Sequence, residues 1–193
     1  MKISLVIAVF LSLHLIGSVL SVHGQMRPDP KAIADAQRES MKVFSVMDGT
    51  WKGEAWTLLP SGERHVLTQT ERVGSFLDGT LKVVEGKGFD KDGAVSFNAF
   101  GIISYDVQKK GYSIRSYAQG NAGDFPITLT EDGYFWEINA GPVTIKYNAT
   151  FKDGTWTEVG DRIIPGRDPM RIFEMTLKRV GDTDWPAAGA MKP

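Results

Sequence analysis

The stretch Asp48–Trp56, which reads DGTWKGEAW, separates two patterns in this chain. Before it, apolar residues recur with the 3.6-residue period of an amphipathic helix, and after it they alternate with polar residues at the period of two that is typical of strands. Asp48-Gly49 is suited to end a helix, because glycine adopts a positive φ without strain. The stretch therefore predicts one helix followed by a β domain.

The helix is predicted to run from Pro30 to about Val46. Asp29 can accept a hydrogen bond from the free N–H groups of the first turn, and proline is tolerated at the first helical position. The apolar face consists of Ile33, Ala36, Met41, Phe44 and Met47. A single amphipathic helix cannot bury this face alone, so we expect it to cover one mouth or one flank of the sheet.

Ten strands are predicted, with short turns between them. Asp-Gly pairs at 78–79, 92–93, 132–133 and 153–154 are strong hairpin signals. Short connections make neighbours in sequence neighbours in space, so the sheet is an antiparallel up-and-down meander, and closure into a barrel removes its two free edges. A two-sheet sandwich of the same strands is the alternative. The predicted strands are 51–59, 63–75, 80–89, 94–105, 111–118, 125–130, 134–140, 143–151, 155–164 and 170–180.

The N-terminus resembles a secretory signal peptide. Lys2 is followed by an almost wholly apolar run from Ile3 to Leu20, and a cut after Gly24 fits the small residues there. An uncleaved membrane anchor is the alternative. The chain has no cysteine, and an exported protein without disulfides is commoner in a bacterial periplasm than in a eukaryotic secretory route. We therefore expect export to the periplasm or the extracellular space.

The remaining 169 residues fit one domain with flanking segments. We predict an N-terminal segment with the helix (25–47), a barrel domain (48–180) and a flexible tail (181–193). Lys2 leaves with the signal peptide, so 21 basic side chains face 23 acidic ones. This near-neutral balance gives no electrostatic case for nucleic acid or for stable membrane association after cleavage. The oligomeric state is not predicted.

Three motifs resemble those of lipocalin-like (calycin) barrels. Gly49–Gly53 is similar to their opening Gly-x-Trp-x-Gly, which the nitrobindin branch shares. Ser104–Tyr112 and Phe173–Arg179 resemble a turn and the last strand of a bacterial exported lipocalin-like family of unknown function. The resemblance implies a barrel of about ten strands, closed at the bottom by Trp51, with Arg179 covering the indole in a cation–π contact.

Nitrobindin-type barrels hold haem through a histidine late in the chain, and this sequence departs from that pattern. His65, on the second predicted strand, is the only histidine after residue 24. One histidine without cysteine also gives no basis for a zinc or iron–sulfur site. We therefore predict no cofactor and no metal.

The first functional hypothesis is a small hydrophobic or amphipathic ligand inside the barrel. Phe97, Trp136 and Tyr147 are among the side chains predicted to line the interior. Arg115 and Tyr117 share one face of a strand and can clamp a carboxylate if that face points inward. The alternative is that both point to solvent.

Two other hypotheses belong to different classes. A barrel filled by its own aromatic side chains would act as a structural or protein-interaction module. An acid–base enzyme would use a carboxyl such as Glu71 or Glu174, and a strongly raised pKa at either is the minimum support for it. The expectation is a protein that is not an enzyme, with catalytic residues unassigned.

Overall fold

The computed structural model describes residues 29–185 and residue 191. Helix α1 (Pro30–Met41) begins where predicted, with the Asp29 carboxylate accepting the Lys31 N–H at 3.0 Å. It continues as a 3₁₀ helix (Lys42–Met47), so the last turns are wound more tightly than expected. The predicted signal peptide (1–24) lies outside the described residues. Within them, no helix combines the length and the apolar character that crossing a bilayer would require.

Ten antiparallel strands form a closed barrel in which each strand pairs with its neighbours in sequence and β1 pairs with β10. The predicted up-and-down barrel is confirmed, and the sandwich alternative is wrong. The strands are β1 (Gly49–Leu58), β2 (Arg64–Phe76), β3 (Leu81–Phe89), β4 (Val95–Asp106), β5 (Gly111–Ala118), β6 (Asn121–Leu129), β7 (Gly133–Ala140), β8 (Val143–Lys152), β9 (Thr155–Ile163) and β10 (Met170–Gly181).

Strand β6 differs most from its prediction, because it begins at Asn121 rather than at Phe125. Gln119 and Gly120 both have positive φ, 50° and 79°, and make the tight reversal. The residues expected to be a connector therefore extend the strand and pair with β5. The β6–β7 ladder is short, running only from Ile127 to Leu129, and pairing stops next to Pro126, which has no N–H to donate.

The helical segment closes one end of the barrel. Phe44 and Met47 are fully buried there, and the Phe44 ring lies edge-on to Tyr112 and Tyr134 at centroid distances of 5.3 and 5.7 Å. The Trp51 indole N–H donates to the Met47 carbonyl at 2.8 Å. The apolar face of the helix thus becomes the floor of the barrel interior.

An ion pair between the buried Lys82 and the partly exposed Asp48 joins the helical segment to the barrel. The Lys82 side chain is only 2% exposed, and its ammonium donates to Asp48 at 2.5 Å and to Ser75 at 2.7 Å. Asp48 is the residue where the helical segment turns into β1. A buried ammonium requires such partners, because an unpaired charge away from water is strongly destabilising.

The predicted tail begins later than expected and its first residues are docked. Gly181 still belongs to β10. The Trp185 ring packs edge-on against Phe76 and Phe100 on the outside of the barrel, and the Arg72 guanidinium lies 4.5 Å from the Trp185 ring centroid. Residues 186–190, 192 and 193 of the predicted tail lie outside the described residues.

Candidate functional site: the barrel cavity

The barrel interior contains a cavity of about 790 Å³ above the helical floor. It extends toward the end of the barrel where Leu59, His65 and Asn121 form the rim, opposite the end that the helix closes. Its walls are mostly apolar and come from inward positions of nearly every strand. Among these wall residues are Ala55, Leu67, Phe97, Ala99, Ile114, Phe125, Trp136, Ile138, Tyr147, Phe173 and Met175.

Two glycines in the strands make room for cavity side chains. A methyl group at Gly86 would lie 2.6 Å from a Glu71 carboxyl oxygen, and one at Gly160 would lie 2.8 Å from the Tyr147 ring. Both distances are too short for a real contact, so the carboxyl and the ring occupy space that only glycine leaves open. The strand glycines therefore shape the cavity as well as bending the sheet.

The polar part of the cavity lies on β2 and β9. Glu71 is 8% exposed, and its carboxyl accepts the Gln69 amide N–H at 2.7 Å. Burial raises the pKa of Glu71 to about 8, and the charges of Glu158 and Glu85 act in the same direction, while the Gln69 hydrogen bond lowers it. The Glu71 carboxyl is therefore largely protonated near neutral pH.

Glu158 is the second carboxyl of the cavity. Burial raises the pKa of Glu158 to about 7, opposed by the indole groups of Trp136 and Trp156. The Trp136 N–H donates to Glu158 at 3.4 Å, whereas the buried Trp156 N–H has no hydrogen-bond partner among the described residues. Burial, and then the charge of Glu158, also raises the pKa of Tyr147 to about 12. Two weakly acidic carboxyls thus line the same cavity.

Glu158 was not predicted from the sequence, although a signal for it was present. Trp156, Glu158 and Gly160 alternate along β9 and therefore share one face. Trp156 is an obvious core residue, so its face points inward and takes Glu158 with it. An acidic residue in phase with a buried tryptophan was the available indication.

Aromatic rings form one wall of the cavity. Trp136 and Tyr147 are stacked, with centroids 4.5 Å apart and planes 15° apart, and Phe173 stands edge-on to Tyr147 at 5.9 Å. The predicted ligand-binding residues Phe97, Trp136 and Tyr147 all line the cavity. That they contact a ligand stays a prediction.

The predicted inward clamp of Arg115 and Tyr117 is wrong in orientation. Ile114 and Ser116 line the cavity instead, and alternate residues of a strand face opposite sides. The Arg115 and Tyr117 side chains are 48% and 41% exposed. The Arg115 guanidinium donates to the Tyr117 hydroxyl at 2.7 Å and pairs with Asp124 at 2.5 Å on the outer face.

The predicted closure by Trp51 and Arg179 is only partly realised in contacts. Trp51 is 2% exposed and packs edge-on against Trp156 at 5.8 Å, so it lies in the core at the closed end. Arg179 is its register partner on β10. The Arg179 guanidinium donates to the Asp48 carbonyl at 3.1 Å and pairs with Asp182, and among residues 29–185 no cation–π contact joins it to Trp51. The backbone oxygen competes successfully for the guanidinium because it accepts a directed hydrogen bond.

The remaining candidate residues, His65, Glu71 and Glu174, lie at different places in the barrel. His65 lies at the rim, paired with Asp90 at 2.8 Å. Of the two carboxyls considered for acid–base chemistry, Glu71 faces the cavity, whereas Glu174 is half-exposed and lies 3.7 Å from Arg171. Within the described part of the chain, no three His, Cys, Asp or Glu side chains are grouped closely enough to hold a metal ion.

No family model and no curated protein matches this sequence. Its structure is similar to that of Rv2717c from M. tuberculosis, with a TM-score of 0.56 and 11% identity over 73% of this chain and 97% of the other. It is also similar to the S-type phycobiliprotein lyase CPES from Guillardia theta, with a TM-score of 0.51 and 7% identity over 78% and 98% of the two chains. Likeness at such low identity concerns the fold alone. Together with the closed ten-stranded topology, it shows that this chain has the fold of a lipocalin-like barrel.

Proposed function

We propose that this protein binds a small hydrophobic or amphipathic molecule inside the barrel. The observation that carries the proposal is the cavity of about 790 Å³, which is apolar on its walls and polar at a few points. Ligand sites typically measure roughly 300–1,000 Å³ and have this composition. The apolar walls supply affinity through burial, and the polar groups around Glu71 orient one end of the ligand.

The cavity also supports the binding hypothesis over the hypothesis of a filled core. A filled core would act as a structural or interaction module, but the interior leaves space for a ligand although Trp136 and Phe97 both line it. A ligand carboxylate is disfavoured, because Arg115 lies outside and the lining contains carboxyls. The ligand class that we propose is therefore apolar or amphipathic without a carboxylate.

The proposal is for a binding protein rather than for an enzyme. A carboxyl that is protonated near neutral pH, such as Glu71, can donate a hydrogen bond to a ligand as readily as it can donate a proton. The two roles differ in outcome, because a binding protein releases its ligand chemically unchanged.

We test binding with N-phenyl-1-naphthylamine, a neutral probe that fluoresces in apolar surroundings. Ala99 lines the cavity and its neighbour Asn98 is exposed, so Ala99→Trp fills the cavity while Asn98→Trp adds the same side chain outside. We expect wild type and Asn98→Trp to bind alike, and Ala99→Trp to bind at least about tenfold more weakly, a loss of about 1.4 kcal/mol.

Equal binding by the two variants contradicts the proposal. Thermal unfolding curves of both variants serve as the control for folding. The probe is recovered after prolonged incubation, and an altered mass would replace the binding proposal with a catalytic one.

We also propose that the chain is exported and cleaved after Gly24. The support is the sequence alone, through the charged and apolar segments before that residue. The measurement is the intact mass of the protein from its own cells. A chain that begins at Gln25 in the periplasmic or extracellular fraction is the expected result, and a chain that retains Met1 in the membrane fraction contradicts it.

A further inference from the structure

The cavity contains two carboxyl groups and no matching positive charge. Among the described residues, no lysine or arginine lines it, and neither Glu71 nor Glu158 takes part in a salt bridge. The nearest basic candidate, His65, lies at the rim and is paired with Asp90. The buried Lys82 ammonium is already paired with Asp48 at the closed end and does not line the cavity, so the charge of the described lining is acidic.

We propose that the ligand carries a protonated amine or another organic cation, which lies between Glu71 and Glu158 beside the aromatic wall. This inference rests on the proposed function, because it specifies the ligand of the same cavity. It assigns the ligand a charge opposite to that of the carboxylate which an inward Arg115–Tyr117 clamp would have bound.

The first argument is the missing counter-ion. A carboxylate taken out of water is strongly destabilised unless a charge of opposite sign and hydrogen bonds compensate it. Glu71 has the Gln69 amide as a neutral partner, and Glu158 has the Trp136 indole. Both partners can stabilise an ionised carboxyl, but neither neutralises its charge. A cationic group of the ligand supplies that charge.

The second argument is the Trp156 indole. Its N–H is buried and lies close enough to Glu158 to lower the pKa of that carboxyl, but it forms no hydrogen bond of normal geometry with any described residue. A buried donor without an acceptor costs about 1–3 kcal/mol. An ionised Glu158 is a stronger acceptor than a protonated one, so a ligand that ionises Glu158 also strengthens the attraction between its carboxyl and the Trp156 N–H. The unpartnered indole thus points to a ligand that stabilises the carboxylate form.

The third argument is the wall beside the carboxyls. Trp136 and Tyr147 lie next to Glu158, and Phe173 stands against Tyr147. Electron-rich rings attract organic cations, with an energy of about 2 kcal/mol or more where water is excluded. Rings and carboxyls together form a site that suits an ammonium group better than a neutral polar group.

A competing possibility is that protonated carboxyls donate hydrogen bonds to a neutral ligand. The cationic and the neutral ligand are expected to show opposite effects of pH on their affinity. Tyr134 and Tyr147 face Glu71 and Glu158 inside the barrel, and Glu85 adds its negative charge from the outer face, where it pairs with Arg72. Among the cavity-lining residues described, none carries an ammonium or guanidinium group. The pKa of Glu71 is about 8 and that of Glu158 about 7, so a cation must displace protons below these values. Cation affinity therefore rises from pH 6 to pH 8, whereas hydrogen-bond donation by the acids weakens.

The test compares 4-phenylbutylamine with 4-phenylbutan-1-ol, which differ in charge but hardly in shape. The amine stays protonated at both pH values, because alkylammonium groups have pKa values of about 10. Binding is measured by calorimetry and by displacement of N-phenyl-1-naphthylamine. We expect the amine to bind at least about tenfold more tightly than the alcohol at pH 8, with a smaller preference at pH 6.

The variants are Glu71→Gln with Glu158→Gln, and Glu174→Gln as the matched control on the outer face. The double variant should lose the preference for the amine while it keeps its affinity for the alcohol, which also shows that it is folded. If it does not fold, either single variant should show a reduced preference. Glu174→Gln should behave like the wild type.

Failure of this inference is distinguishable from failure of the proposed function. If the alcohol binds as tightly as the amine at pH 8, or weakens as the pH rises, the cation proposal is overturned and the binding function stands. If neither compound binds and neither displaces the neutral probe, both proposals are overturned. A preference that survives in the double variant overturns the assignment to Glu71 and Glu158.

Discussion

The ionisation of Glu71 and Glu158 is linked to the folded state. Both carboxyls are held in a low-dielectric cavity, where burial favours the protonated form. Stability depends on pH because these two carboxyls bind protons more tightly in the folded chain than in the unfolded chain. In the unfolded chain their pKa values return to about 4.5, so the folded state binds protons that the unfolded state has already released.

We predict that the free energy of unfolding falls as the pH rises from about 5 to about 8. The contribution of these two carboxyls is fully present below pH 4.5 and is lost as the pH passes through about 7 and 8. At about 1.4 kcal/mol for each pKa unit, the loss amounts to a few kcal/mol. Urea denaturation at a series of pH values measures it, and Glu71→Gln should flatten the dependence.

The control for this prediction is again Glu174→Gln, which should keep the wild-type dependence. Asp35 and Asp106 do not mask the effect. Hydrogen bonds from Lys31 and from the Lys109 backbone hold their pKa values below the ordinary 3.8, so their contributions change only at lower pH. If the free energy of unfolding of Glu71→Gln fell with pH as steeply as that of the wild type, the result would contradict a raised pKa at Glu71.

At the scale of single residues, the sequence predicted which residue types line the cavity, but it did not predict for every strand which side chains point inward. Ile114 and Arg115 are adjacent, so only one of them can face inward, and the apolar residue does. The hypothesis of an Arg115–Tyr117 clamp depended on the inward face, which Ile114 and Ser116 occupy. Glu158 was missed because an acidic residue in a strand ordinarily indicates a solvent-facing position.

The secondary-structure elements were predictable because their signals are local. Asp29, Pro30 and the apolar period define α1, and paired turn residues define most hairpins. The start of β6 was not predictable in this way, since Gln119 takes the positive φ that Asn or Gly usually supplies in a tight turn. The role of the helix as the barrel floor depends on contacts of Phe44 with distant strands, which no local pattern contains.

The molecule as a whole combines a closed wall, a plugged floor and an unfilled interior. Closure follows from ten short-linked strands whose free edges must pair. The interior volume does not follow from sequence, because it depends on how the inward side chains of ten strands meet. Gly86 and Gly160 illustrate this, since each leaves space for a specific side chain on a neighbouring strand.

The central claim is that the cavity holds a small molecule, and native mass spectrometry of protein purified gently from its own cells tests it most directly. Wild type and Asn98→Trp should carry an added mass of roughly a few hundred daltons, the size that such cavities accept. Ala99→Trp, prepared identically, should appear at its bare mass. A wild-type protein at its bare mass, or an added mass that Ala99→Trp retains equally, would contradict the claim.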